Sequence, residues 1–162
     1  GDPAAIRGIS DAAVALNRIA VHEQTFVSRA DESGTHKREQ RLWKTCGLDP
    51  FGQPWYREAG MGMGDTLKLG DEMQGYLLVD RGTWLSMRSL LKLDLLSSGD
   101  PRLLNAYSVM AVSDDPHHEV NEKAGRAFVD WMTSGTVQKQ IADFRVGGEY
   151  LFTPAHDLRQ NR

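Results

Sequence analysis

Only one cysteine, Cys46, occurs among the 162 residues, so there is no intrachain disulfide and no cysteine cluster for a metal. No apolar run approaches the roughly 20 residues that cross a bilayer, and no signal-peptide pattern is present. Charge of one sign is missing too. Nineteen basic against 22 acidic side chains leave a net charge of -3, which argues against a nucleic-acid surface and makes any anion site a local device rather than the product of a global field. Internal repeats and low-complexity tracts are absent. The chain starts at Gly1-Asp2-Pro3 without Met, as expected of a processed or trimmed piece. What remains is ordinary globular composition, 40% hydrophobic and 25% charged, enough for a real core in one or two small domains.

Periodicity supplies the elements. Ser10 or Asp11 caps a helix whose apolar positions Val14, Leu16, Ile19 and Ala20 recur at helical spacing. Thr25 to Ser28 reads as a strand, and a helix with Leu42 and Trp43 on its buried side follows, stopping at Gly47. Trp55 to Glu58 is read as a short helical piece. The run Gly60-Met61-Gly62-Met63-Gly64 lacks the preceding strand and the glycine spacing of a dinucleotide fingerprint, and reads as a helix opening or a flexible loop. Tyr76 to Val79 is predicted as a buried strand, with Asp80 capping the next helix. Leu93 to Leu96 and Ala106 to Val112 are predicted as further strands, and two amphipathic helices follow, through Phe128 and Met132 and then Val137, Ile141 and Phe144. Alternation of strands and helices predicts an α/β fold with a central sheet flanked by helices, in which ligands gather at the carboxyl ends of strands.

The chemistry concentrates in Ser28 to His36. A strand hands over to a helix beginning near Ser33-Gly34-Thr35, where the first amides lack intrahelical partners and carry the positive end of the peptide dipoles. Gly34 permits close approach, Ser33 and Thr35 add hydroxyl donors, and Arg29 offers a planar cationic fork that Asp31 could hold in place. Ser-Gly-Thr after a loop is also what an ordinary N-cap requires, and Arg29-Asp31 is also what a surface ion pair requires. A cap needs no cation, however, and an oxyanion site does.

Beyond this local reading, Ser28-Arg29-Ala30-Asp31-Glu32-Ser33-Gly34-Thr35-His36, Trp55-Tyr56, Gly60 to Leu67, Tyr76 to Trp84, Leu104 to Tyr107 and Phe128 to Met132 follow one another in an order that resembles the periplasmic tungstate-binding proteins of ABC transporters. The Arg-x-Asp-x-Ser-Gly-Thr element also resembles phosphate-binding receptors. Ala30 and Glu32 stand where that family usually has glycine and aspartate. The resemblance implies a two-lobed clamshell of which much of the first lobe is missing: residues 1–105 would be an oxyanion-binding lobe, and 106–162 a crossover strand and helices belonging to the incomplete other lobe.

The expectation is a binding protein and not an enzyme, holding tungstate or a similar tetrahedral oxyanion with Arg29, Ser33, Gly34 and Thr35. Arg81 is a further ligand candidate, with pairing to a carboxylate near the cleft as its other role. Molybdate and phosphate are the alternatives within the class. An anion-sensing effector domain of a regulator is another, and a hydrolase built from Ser33, His36 and Asp31 is a reading from a different class. No cofactor and no metal are expected. His117-His118-Glu119 is assigned to a solvated loop rather than to a metal site. An ABC transporter permease, a location outside the cytoplasm, and a homo-oligomer or a covering partner for the C-terminal apolar faces complete the expectation.

Overall fold

The computed structural model describes residues 1–112 and 120–154, so His117-His118-Glu119 lies outside the described residues. The chain divides into two compact units, Gly1–Leu104 and Asn105–Arg162.

The first unit holds α1 (Ala12–Val21), β1 (Phe26–Ser28), α2 (Gly34–Thr45), β2 (Tyr56–Glu58), α3 (Met63–Glu72) and α4 (Arg81–Met87). Helix α1 starts at Asp11, whose Oδ1 accepts the Ala13 and Val14 amides, while Asp100 Oδ2 accepts the Ala12 amide at 2.7 Å. Together these carboxylates satisfy amides that the helix itself leaves unpaired. The Ala12, Ala15, Leu16 and Ile19 face is buried, as the spacing requires. Helix α2 closes at Gly47, whose φ of 69° lies in the left-handed region that favours glycine.

Strand β1 is the centre. All three of its residues are buried, and Phe26 meets Trp43 edge-on at 5.2 Å and stacks on Tyr56 at 6.0 Å. It pairs in parallel with β2, Phe26 opposite Tyr56 and Ser28 opposite Glu58. On its other side a single parallel bridge joins Phe26 to Tyr76, through Val27 N–H to the Tyr76 carbonyl and Tyr76 N–H to the Thr25 carbonyl, both at 2.8 Å. Gly70 of α3 shows how closely the layers pack: a Cβ there would come within 2.7 Å of a Leu77 methyl.

Several expected elements differ. Trp55 to Glu58 is not helical, because the Phe26 amide donates to the Trp55 carbonyl at 2.8 Å and draws the segment into the ladder. Tyr76 to Val79 contributes its one bridge and then stays half-buried without further pairing among the described residues. Leu93 to Leu96 forms no strand; its Leu96 carbonyl accepts one bond, from Gly8. Ala106 to Val112 is β-rich in composition yet forms none either, and Tyr107, Met110 and Val112 are exposed. Residues that favour strands need a neighbouring ladder to satisfy their backbone, and these segments find none among the described residues.

The second unit contains α5 (Glu122–Thr133), α6 (Gly135–Asp143) and a hairpin of β3 (Arg145–Val146) and β4 (Glu149–Tyr150). Asn121 caps α5 and Ser134 caps α6. Helix α5 is amphipathic in sequence but buries none of its residues fully, and Phe128 and Trp131 are 54% and 55% exposed.

Candidate functional site

Three extended segments run in parallel, ordered β2, β1, Tyr76, and each leads at its carboxyl end into a helix start: Ser33 before α2, Gly62 before α3 and Asp80 before α4. Their shared direction brings the three openings to one edge of the sheet, the edge where α/β folds place ligands.

At the middle opening, Ser33 is the N-cap of α2, and its Oγ accepts the His36 amide at 3.3 Å. Its own amide donates to Asp31 Oδ1 at 3.2 Å. The other Asp31 oxygen pairs with the Arg29 guanidinium, and both side chains are mostly buried. Burial pushes the Asp31 carboxyl up, but the donors on Ser33 and Arg29 outweigh it and hold the group below the ordinary aspartate value. Gly34 and Thr35 occupy the first two helical positions, where amides have no intrahelical acceptor. Ser33 Oγ receives a bond as the cap, and its hydroxyl can still donate its proton, to Asp31 or to an outside acceptor. Arg29, Ser33, Gly34 and Thr35 are therefore brought together on one loop and one helix turn. Arg81 opens α4 at the same edge with an exposed side chain.

Two residues of this loop, Ala30 (φ 48°) and Glu32 (φ 59°), take left-handed backbone conformations. That costs about 1–2 kcal/mol for a residue with a Cβ, and each is clamped. The Ala30 amide donates to Ser28 Oγ at 3.3 Å, and the Glu32 amide donates to His36 Nδ1 at 3.1 Å. The imidazole therefore serves the loop backbone and not the Ser33 hydroxyl, so Ser33, His36 and Asp31 do not form a nucleophile, base and orienter relay. Arg29 Nε and His36 Nε2 are buried with no hydrogen-bond partner among the described residues.

Beneath the loop lies a group that the sequence reading missed. Glu39, 2% exposed, accepts from Ser28 Oγ (2.9 Å), Tyr56 OH (2.7 Å) and Trp43 Nε1 (3.2 Å). Burial pushes its carboxyl up against the opposing pull of those donors, with a net rise. The available signal was the helical spacing His36, Glu39, Trp43, which puts an acid on the same face as a buried aromatic. No group of three or more metal-ligating side chains occurs among the described residues.

Residues 10–136 match the PBP superfamily domain. The chain belongs to that superfamily. The tungstate-binding protein TupA of Peptoclostridium acidaminophilum is 42% identical to this PBP domain over 147 residues, covering 90% of the chain and 51% of the relative. The solved structure of the tungstate-binding protein TupA from Desulfovibrio alaskensis G20 superposes with a TM-score of 0.81 at 41% identity, covering 94% of this chain and 63% of that one. The structure of the tungstate ABC transporter from Geobacter sulfurreducens gives a TM-score of 0.70 at 34% identity, covering 88% and 60%. This PBP domain thus spans about half the length of the curated relatives it matches.

Proposed function

We propose that this chain is the oxyanion-binding portion of an ABC-transporter receptor for tungstate or a similar tetrahedral dianion. Residues 1–105 would form the binding lobe and 106–162 would belong to the other lobe. The observation that carries this is the N-terminus of α2, where the Gly34 and Thr35 amides and the Ser33 hydroxyl stand beside an Arg29 locked by Asp31. Arg81, at the neighbouring helix start, adds charge to the approach. Both Asp31 oxygens are engaged by Arg29 and Ser33, so Asp31 is turned to its own loop rather than offered to a proton on the ligand. That favours fully ionised tungstate or molybdate over a protonated phosphate. The names of the relatives point the same way.

Such a receptor acts outside the cytoplasm, delivers its anion to a permease and catalyses nothing. Its exposed aromatic face on α5 is covered by a second copy of the chain or by the remainder of a two-lobed receptor. The experiment is a titration of the ¹⁵N-labelled chain with tungstate, molybdate, sulfate and phosphate, following the Gly34 and Thr35 amides. Saturable shifts with tungstate and molybdate, weakened at least about tenfold by Arg29→Ala, are expected for loss of a charge-assisted bond. Absence of saturable shifts with every anion, or an Arg29→Ala chain that titrates unchanged, overturns the reading.

A further inference from the structure

The buried carboxylate behind the loop has no part in holding an anion directly, yet its bonding decides the shape of the loop that does. Ionised, a carboxylate only accepts, and each of the three hydrogen-bonding side chains around Glu39 donates to it. The Ser28 hydroxyl has a single proton and gives it to Glu39 Oε2. Its lone pairs therefore face away from the acid, and one of them receives the Ala30 amide. Ala30 lies between Arg29 and Asp31, and its left-handed turn brings those two side chains to the same side, where they pair. Without a clamp, a residue carrying a Cβ would leave that backbone region for a cheaper one.

We propose that Glu39 is a positioning residue: through the Ser28 hydroxyl it holds the Ala30 turn and so aims Arg29 at the anion. The affinity part of this inference rests on the oxyanion reading above; the turn itself does not. The division of labour at Glu39 makes a clean test possible. Tyr56 and Trp43 both donate to Oε1, whereas Ser28 donates to Oε2. In Glu39→Gln the side-chain carbonyl can keep the two aromatic donors while the amide nitrogen, a donor, replaces the acceptor facing Ser28. Only the link to the loop is reversed.

Two readouts on the full chain separate the outcomes. Without any anion, the Ala30 amide of Glu39→Gln should exchange with solvent about tenfold faster than in the parent, while the Trp43 indole N–H keeps its protection. With tungstate as probe, affinity should fall by about tenfold, which is roughly one hydrogen bond to a charged group. Ser28→Ala should reproduce both effects, and the double variant should add little to either, because the two side chains act in one chain of bonds. Unchanged Ala30 exchange in both single variants overturns the positioning role, whatever the titration shows. Faster exchange with tungstate affinity unchanged also overturns it, since the turn would then not aim Arg29. If the parent itself binds no anion while the exchange effect appears, the oxyanion reading fails and Glu39 remains a determinant of loop conformation alone. Should Glu39→Gln fail to fold, Ser28→Ala carries both measurements.

Discussion

Ser33 has two jobs that one substitution can pull apart. As the cap of α2 its Oγ accepts the His36 amide, and as a proposed ligand it donates its proton to the anion. Ser33→Asp keeps an acceptor for the His36 amide, since aspartate caps as well as serine, and places a negative charge at the positive end of the helix dipole, worth about 0.3–1 kcal/mol to stability. Asp31 adds little repulsion because Arg29 neutralises it. For a bound dianion about 4 Å away, however, each pair of unit charges costs about 1 kcal/mol in a water-like medium and about 4 kcal/mol at the effective dielectric of a protein surface. Two such pairs give at least about 2 kcal/mol, or roughly a 30-fold loss of affinity, before the missing hydroxyl donor is counted. Ser33→Ala does the opposite, losing about 1 kcal/mol of stability as the cap goes but adding no repulsion. The order of melting temperatures should therefore be Asp at or above Ser, then Ala, while the order of affinities should be Ser, then Ala, then Asp. Thermal melts and calorimetric titration with tungstate on the three chains measure both. If the Asp variant binds within about threefold of the parent, Ser33 is a cap and nothing more.

Three further expectations follow from other parts of the molecule. Gly34→Ala meets nothing within 4 Å and sits at a helical position, so the chain should gain up to about 1 kcal/mol in a denaturant titration while tungstate binding weakens under the new methyl. Asp100, buried and bonded to Arg102 and the Ala12 amide, is held below its ordinary pKa of 3.8, first by the Arg102 hydrogen bond. Its stabilisation is complete above that unfolded value and disappears as pH falls through the lower folded one, so Asp100→Asn should flatten the acid limb of a stability-against-pH curve below about pH 4; an unchanged limb refutes the assignment. Phe128 and Trp131, with ring centroids 5.7 Å apart on exposed α5, should drive self-association of the isolated chain at micromolar concentration, reduced by Trp131→Ser in sedimentation velocity; a monomer with Trp131 shielded from quencher would mean the face is covered within the chain.

Local signals were legible where a side chain closes a backbone bond nearby. Asp11, Ser33, Asp80 and Ser134 are caps that can be read within four residues of the helices they start. The Arg29–Asp31 pair is equally local, two residues apart. What periodicity could not show was pairing at a distance. Tyr56 joins a strand because Phe26, thirty positions earlier, offers it a ladder and a ring to stack on. Leu93 to Leu96 and Ala106 to Val112 have strand-like composition but meet no such partner among the described residues. Glu39 was hidden for a related reason: an acid in a helix reads as solvent-facing unless its donors are known, and two of them, Ser28 and Tyr56, lie on separate strands.

The parallel order of β2, β1 and the Tyr76 segment has an electrical consequence. The strands that lead into α2 and α3 are neighbours running the same way, so both helices open at the same edge. Each contributes about half a positive charge from its unpaired amides, and their sum is comparable to one lysine although neither is an ionisable group. Arg29 adds little net charge while Asp31 accompanies it. Part of the counter-charge at this edge is thus made of peptide groups, which have no proton to lose between mild acid and mild base. Anion affinity should accordingly depend on the ionisation of the anion and on the salt concentration.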